Sequence, residues 1–439
     1  MPKIKLKDIT SRIGDGLHGT PEYIEDGEIY FVNGVNLQNG KIIITDDTKK
    51  ISIQEYQDNF IDLNKKTLLM SINGTIGKMA FYNGEQIMLG KSAAYLNFND
   101  GLNVFFYYYF QLKNVNQYLY NVATGSTIKN LGLKTLGETL VPNIDQENAS
   151  QIAKILSDLD AKIEVNKQIN AKLEAMAKTL YEYWFVQFDF PDENGKPYKS
   201  SGGKMVYNRE LKREIPEGWK VKTIKNLIKS DKSGDWGKAE KHKNYIKKVN
   251  CIRGADLNGL NGQGNVNAPT RFILEKNEHK LLKSGDFIIE ISGGSPTQST
   301  GRIGMVIDET FERFDNDLIC SNFCRAISLK DEYFTFNFLQ FWNRIYEAGV
   351  LFGWEGKTSG IKNLLLDNFI SKFKIIKPSD KTVKAYYKTV KPYYSKIQKN
   401  LVENQKLAEL RDWLLPMLMN GQVTVGENTS LSEMTGRAR

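Results

Sequence analysis

The sequence predicts an α+β protein built as a tandem repeat: two mixed α/β domains, each followed by a long helix, with the two helices pairing as an antiparallel coiled coil. Three observations carry this prediction. Short segments of the first half recur in the second, each half closes in an apolar seam spaced three and four residues apart, and both seams are interrupted by asparagines at the same two places.

The repeat comes first because it sets everything else. Phe31-Val-Asn-Gly-Val-Asn-Leu-Gln-Asn-Gly returns as Cys251-Ile-Arg-Gly-Ala-Asp-Leu-Asn-Gly, and Ile76-Gly-Lys returns as Ile303-Gly. The latter pair follow glycine-containing turns, Asn73-Gly74 and Gly293-Gly294, and Ile128-Lys-Asn-Leu comes back unchanged as Ile361-Lys-Asn-Leu. The spacing between copies grows along the chain, as a loop insertion such as Ser295 to Arg302 would make it. Each copy opens with strand-like segments, Ile29–Val32 and Leu68–Ile72 in the first, Phe287–Ile291 and Arg302–Ile307 in the second. Each continues into an aromatic stretch, Val104–Leu112 and Tyr333–Trp342. The unbroken aromatics from Phe105 to Phe110 could stack on bases, but rings on every face of a helix suit a domain core better.

The first seam runs through Ile152, Leu156, Leu159, Ile163, Asn166, Asn170, Leu173, Ala177, Leu180 and Trp184. The second runs through Tyr386, Val390, Tyr393, Ile397, Asn400, Asn404, Leu407, Arg411, Leu414 and Leu418, with Arg411 its weakest position. Such spacing belongs to helices wound around one another. Folding about an approximate two-fold axis would set the helices antiparallel, with Asn166 near Asn404 and Asn170 near Asn400. Pro142 and Pro378 mark the helix entries, Asp145 and Asp380 are candidate caps, and Pro392 should kink or break the second helix. The expected divisions are a first domain over 1–142, a long helix over 143–189, a connector over 190–218, a second domain over 219–377, a C-terminal long helix over 378–422 and a disordered tail over 423–439. The connector, with Val206-Tyr207 and Ile215-Pro216 as apolar anchors, reads as an ordered crossover.

Composition bounds the class. A chain of 439 residues with 41 % hydrophobic and 25 % charged residues is a folded protein of two or three domains. No apolar run approaches the roughly 20 residues that span a bilayer, and the first residues lack a signal-peptide core, so a cytoplasmic protein without membrane attachment is expected. Three cysteines and three histidines make neither a disulfide framework nor a convincing zinc site, so Cys320 and Cys324 read as buried thiols in a reducing compartment. The net charge of +9 suggests an anionic partner. It is spread unevenly: residues 1–142 are neutral, whereas 371–420 hold 11 basic side chains against 4 acidic ones. This is too little for purely electrostatic coating of a polyanion and fits specific recognition.

Catalytic motifs fail on inspection. Gly356-Lys357-Thr358 resembles the end of a phosphate loop, but Leu351 stands where that loop requires glycine. Gly259 to Gly264 lacks dinucleotide-fingerprint spacing, and Asp256 with Glu278 and Lys280 is too permissive a nuclease-like set to count. No serine or cysteine sits in a nucleophile elbow, and no Asn-Pro-Pro-Tyr or Asp-Pro-Pro-Tyr motif is present. The chain therefore reads as non-catalytic by itself, with no metal and no bound cofactor.

Two domains each followed by a long helix resemble the specificity subunits of type I restriction–modification enzymes. The resemblance runs from about Ile4 to Val425 and is most specific at Leu180-Tyr-Glu-Tyr-Trp-Phe-Val-Gln-Phe-Asp-Phe, Gly195-Lys-Pro-Tyr-Lys-Ser-Ser-Gly-Gly203, Glu214-Ile-Pro-Glu-Gly-Trp219 and Leu414-Leu-Pro-Met-Leu-Met-Asn-Gly421. It implies that each domain is a target-recognition domain reading one half of a bipartite, asymmetric site on double-stranded DNA. It implies helices that set the spacing and dock two methyltransferase subunits, with motor-nuclease subunits joining the full complex. S-adenosylmethionine, ATP and Mg²⁺ are then expected on those partners.

Loop residues at equivalent places are the DNA-binding candidates: Asn33, Asn36, Asn73, Lys78, Thr127 and Lys129 in the first domain, and Arg253, Asp256, Gln298, Arg302, Thr358 and Lys362 in the second. Arg with guanine and Asn or Gln with adenine are the common base-edge pairs. For Asn33, Asn36 and Asp256 the competing role is turn stabilisation; for Lys78 and Arg302 it is phosphate contact. Other readings of the whole chain are a stand-alone DNA methyltransferase or nuclease, a coiled-coil scaffold that binds only protein, and an orphan recognition protein.

Overall fold

Runs buried on both faces build the sheets. Thr67–Ser71 and Ala93–Phe98 are buried at every residue, as strands covered on both sides must be. The computed structural model describes residues 2–423 and 425, apart from Asp100, Gly294, Pro296 and Ser359, with Lys357 and Thr358 described by their backbone only. Gly294 of the expected turn and Pro296 of the expected insertion thus lie outside the described residues. So does the tail expected to be disordered, save Val423 and Val425. The chain divides into two compact units, 1–161 with 407–439, and 162–406.

In the first unit, strand Lys3–Lys5 pairs antiparallel with Leu140–Pro142, so the start and end of the domain clasp each other. Glu138 joins the clasp through Lys5 and Lys7, both at 2.6 Å, and the two ammonium groups draw its carboxyl down to about 2. A four-stranded antiparallel sheet runs in the order Thr10–Asp15, Ala93–Phe98, Thr67–Ser71, Met79–Phe81. A three-stranded sheet runs Lys50–Ile51, Ile29–Val32, Ile87–Leu89, its last pair parallel. Helix α1 (Asn103–Tyr109) buries Phe105, Phe106, Tyr107 and Tyr108, with the Phe106 ring stacked 5.0 Å from Phe98. The aromatic stretch is core.

The second unit repeats this plan. Lys220–Thr223 pairs with Lys374–Lys377. The four-stranded sheet is Ile228–Ser233, Cys324–Leu329, Phe287–Glu290, Ile303–Met305, and the three-stranded sheet is Thr270–Leu274, Tyr245–Ile252, Leu318–Cys320, again with the last pair parallel. Within the same unit the connector is folded: Met205–Asn208 and Arg213–Pro216 form a hairpin, and Phe190 stacks on Tyr198 and Trp219.

The long helices are α2 (Gln146–Tyr181), α3 being the shorter Thr335–Glu347 of the second domain, and α4 (Asp380–Met419). α3 buries Phe336, Phe338, Leu339 and Trp342, and the Trp342 indole donates to Gly301 O at 2.7 Å. Asp145 caps α2 by accepting the Asn148 N–H at 2.9 Å. At α4 the cap is Ser379, which accepts the Thr382 N–H at 3.2 Å; Asp380 is the first helical residue and pairs with Lys377 instead. α4 also runs through Pro392 without a break. Pro392 is exposed, so the carbonyl four residues back, deprived of its N–H partner, can turn to water.

Every seam position is at least half-buried, and the helices are antiparallel. In the second unit the Asn166 amide donates to Asn404 Oδ1 and to Glu403 Oε2, both at 2.9 Å, and the Asn400 amide donates to Asn170 Oδ1 at 2.7 Å. Asn166 and Asn400 are 1 % and 0 % exposed, and their own Oδ1 atoms accept nothing among the described residues. Each orphaned buried group costs about 1–3 kcal/mol, so a register that left all four amides against leucine would be penalised several times over.

Asn400→Leu should therefore lose about 1–3 kcal/mol in urea unfolding by stranding Asn170 Oδ1, whereas Asn170→Leu with Asn400→Leu should recover most of that loss. Additive losses in the double variant would show that the two amides do not act as a pair.

Candidate nucleic-acid interface

In each domain one backbone bond ties a strand end of the four-stranded sheet to the repeated Ile-Lys-Asn-Leu segment. The Leu131 N–H donates to Ile72 O at 2.8 Å, and the Leu364 N–H donates to Ile291 O at 2.9 Å. This bond lays the loop after the strand beside the loop that carries the repeat, so polar residues distant in sequence share one edge.

In the first domain that edge gathers Asn73, Lys78, Thr127 and Lys129. Asn73 bridges Asn130 through the backbone, and the Gly74 N–H, at a φ of 75° that glycine tolerates, donates to Lys129 O at 2.9 Å. The Lys78 and Thr127 side chains are exposed. Lys129 donates to Ala123 O at 3.3 Å and holds its ammonium 5.5 Å from the Tyr120 ring. In the second domain the edge gathers Gln298, Lys362 and the backbone of Thr358. Ser292–Gly293 pairs with Ile361–Leu364, which pairs in turn with Glu355–Thr358. Lys362 Nζ lies 3.6 Å from Glu355 Oε2 and 3.4 Å from Gln298 O. The Gly356-Lys357-Thr358 stretch is a hairpin strand, which is not the strand–loop–helix setting of a phosphate loop.

The remaining candidates are held elsewhere by their own domains. The Asn33 N–H donates to Asn36 Oδ1 at 2.9 Å, the Asn36 amide donates to Ile43 O at 3.0 Å, and Asn33 Oδ1 accepts from Ser92 at 2.9 Å. These two asparagines brace a turn. Arg253 grips Asp256 with two bonds, 2.9 and 3.1 Å, and reaches Asn267 O at 2.8 Å. Burial alone would raise the Asp256 carboxyl, but Arg253 and two backbone N–H groups hold it below its ordinary value. Arg302 makes a similar two-pronged pair with Glu290, 2.8 and 2.7 Å, which keeps the guanidinium charged while Glu290 is 5 % exposed. Reading guanine with Arg302 would require breaking that pair.

Sequence reasoning does not single out the loop around Trp236, though the density of lysines from Lys229 to Lys248 is a usable signal. There Arg271 stacks 4.2 Å from the Trp236 ring and donates to Trp236 O at 2.9 Å, while Lys238, Lys241 and Lys243 stand exposed. Cys251, Cys320 and Cys324 are buried free thiols; burial pushes Cys251 and Cys324 up to about 12, so neither is a thiolate at neutral pH.

With this geometry in view, the chain can be set beside known proteins. The sequence profile of the type I restriction modification DNA specificity domain matches residues 3–175 and again 216–411, and the chain belongs to that family. It is 26 % identical over 441 residues to the type I restriction enzyme MjaIX specificity subunit of Methanocaldococcus jannaschii, covering 96 % of this chain and 93 % of that one. The type I restriction enzyme HindI specificity subunit of Haemophilus influenzae is 24 % identical, over 64 % of this chain and 68 % of its own. In fold, the chain resembles the crystal structure of the type I restriction–modification S subunit from M. genitalium, with a TM-score of 0.59, 17 % identity and 95 % coverage of both chains.

The Arg302–Glu290 pair yields a direct test. Arg302→Ala should destabilise the protein by about 3–5 kcal/mol in chemical denaturation, because it leaves a carboxylate buried and unpaired. Pairing it with Glu290→Gln should recover part of that loss. Undiminished stability together with altered sequence preference would instead assign Arg302 to base reading.

Proposed function

We propose that this chain is the DNA-reading subunit of a type I restriction–modification system, non-catalytic by itself. Each domain reads one half of a bipartite, asymmetric site through the major groove, where base pairs differ in donor and acceptor pattern. The observation that carries this reading is the repeated backbone bond, Leu131 to Ile72 and Leu364 to Ile291, which gives both domains the same loop edge with different polar residues on it. Two copies of one scaffold with different side chains suit two different half-sites. Methyltransferase subunits dock on the helices and supply S-adenosylmethionine; motor-nuclease subunits bring ATP and Mg²⁺ chemistry.

In this reading the helices are the ruler. The 36 residues of α2 rise about 54 Å at about 1.5 Å each, or about 16 base pairs at about 3.4 Å per pair. The buried asparagines keep that length constant by excluding other registers.

Replacing 219–377 with the matching segment of a related subunit should change one half of the methylated sequence and leave the other intact, as read by methylation mapping in cells that carry the methyltransferase subunit. Both halves changing together would contradict independent reading. Removing one heptad from each helix should shorten the preferred spacer by about three base pairs, since seven residues rise about 10 Å; an unchanged spacer at full affinity would sink the ruler.

A further inference from the structure

The repeated Ile-Lys-Asn-Leu segment contains two kinds of residue. Leu131 and Leu364 are core, 0 % and 5 % exposed, and their N–H groups make the tie to the strand end. Asn130 and Asn363 are held by the neighbouring loop, through the Asn73 bridge and a 2.5 Å bond from Ser292. Asn363 is fixed through its side chain, whereas Asn130 is held through its backbone, and the leucines recur for reasons of folding. The isoleucines do not: Ile128 is 62 % exposed and Ile361 46 %. Nothing in either core asks for an isoleucine there, and an exposed loop tip tolerates polar residues at no loss of packing.

The surroundings of the isoleucine recur as well. In each domain the next residue is a lysine whose ammonium lies against a half-exposed aromatic ring, Lys129 at 5.5 Å from Tyr120 and Lys362 at 5.1 Å from Phe352. A glycine with positive φ shapes each tip, Gly125 at 95° and Gly360 at 77°. A side chain on Gly125 would meet Ile128 O at 2.1 Å, so only glycine fits at that position of the first tip.

The charge pattern identifies the occupant. The segments that form the first edge, 63–84 and 101–137, contain no Asp or Glu; those of the second, 291–307 and 355–366, contain one, Glu355, which accepts from Thr300 and lies 3.6 Å from Lys362 Nζ. A first edge cleared of carboxylates and furnished with lysine suits a polyanion, and at the second edge a phosphate would compete with Glu355 for Lys362. An apolar side chain beside that lysine suits a polyanion with a groove, where the thymine methyl offers an apolar contact.

We propose that Ile128–Lys129 and Ile361–Lys362 are matched DNA-contacting tips, the isoleucine packing on a thymine methyl in its half-site, while Lys129, steadied by Tyr120, meets the adjacent phosphate and Lys362 does so in exchange for Glu355. This rests on the reading of the domains as DNA-binding. Each tip combines sequence readout and charge neutralisation in two consecutive residues.

The test uses the full chain in complex with its methyltransferase subunit and the duplex defined by methylation mapping. Ile128→Ala and Ile361→Ala should each weaken binding about fivefold or more without changing the melting temperature. In the half-site that each tip contacts, replacing one particular thymine by uracil should weaken the wild type equally and the variant no further. Unchanged affinity in both variants overturns the proposal. So does retained affinity with poorer recovery of the methyltransferase subunit, which would make the tips a protein-docking surface. A wild-type complex that bound no duplex would remove the DNA reading itself, an outcome distinct from variants that bind as well as the wild type.

Discussion

Two amide contacts in a helical seam carry the heaviest constraint in this protein. Asn166 with Asn404, and Asn170 with Asn400, decide which turn of one helix faces which turn of the other, because no shifted pairing satisfies the same donors. The register appears again independently in the first unit. Arg411, seven residues beyond Asn404, reaches Asp160, six residues before Asn166, at 2.6 Å. Asp160 in turn accepts from Tyr108 of the first domain at 2.7 Å. The weakest seam position is thus an ion pair that links the helix to a domain.

The second domain is fastened to its helix by a comparable polar device. Gln398 of α4 donates to Leu260 O at 3.0 Å, and Arg313 donates to the carbonyls of Leu260 and Gly259 at 2.9 and 3.0 Å. Burial pulls the Arg313 guanidinium down to about 10, so it stays charged at neutral pH, held by carbonyl dipoles in place of a carboxylate. Such contacts demand geometry that apolar packing alone would leave loose, and they explain how polar groups serve as locators in otherwise hydrophobic interfaces.

The parts of the fold legible in the sequence are those with a period or a repeat. The heptads of Ile152 to Trp184 and Tyr386 to Leu418, the recurrence of Ile-Lys-Asn-Leu and the buried aromatics of α1 all follow from local spacing. What stayed hidden depends on which partner a side chain turns to, near in sequence or far. Arg302 looks like a base reader until Glu290 is found on the neighbouring strand, and Arg253 until Asp256 folds back onto it. The same holds for Asn33 and Asn36, whose turn role is local, whereas the bond from Ser92 that completes it is not. At the α4 entry, Ser379 and Asp380 are both good capping types, and only the N–H of Thr382 distinguishes them. The loop edge was the least legible, because the tie from Leu131 to Ile72 leaves no mark in composition.

The first unit is discontinuous in the chain, and this bears on its synthesis. Ala149, Ile152 and Leu156 are buried in one core with Leu415, Leu418 and Met419, which are made only after the whole second unit. The intervening residues 162–406 take about 12–50 s to translate at about 5–20 residues per second. For that interval the nascent first unit lacks the residues that complete its core, and its helix leaves Ile152 and Leu156 without those partners. The second unit is contiguous and is finished as soon as residue 406 emerges. The unit whose synthesis begins first is therefore the one whose core is completed second.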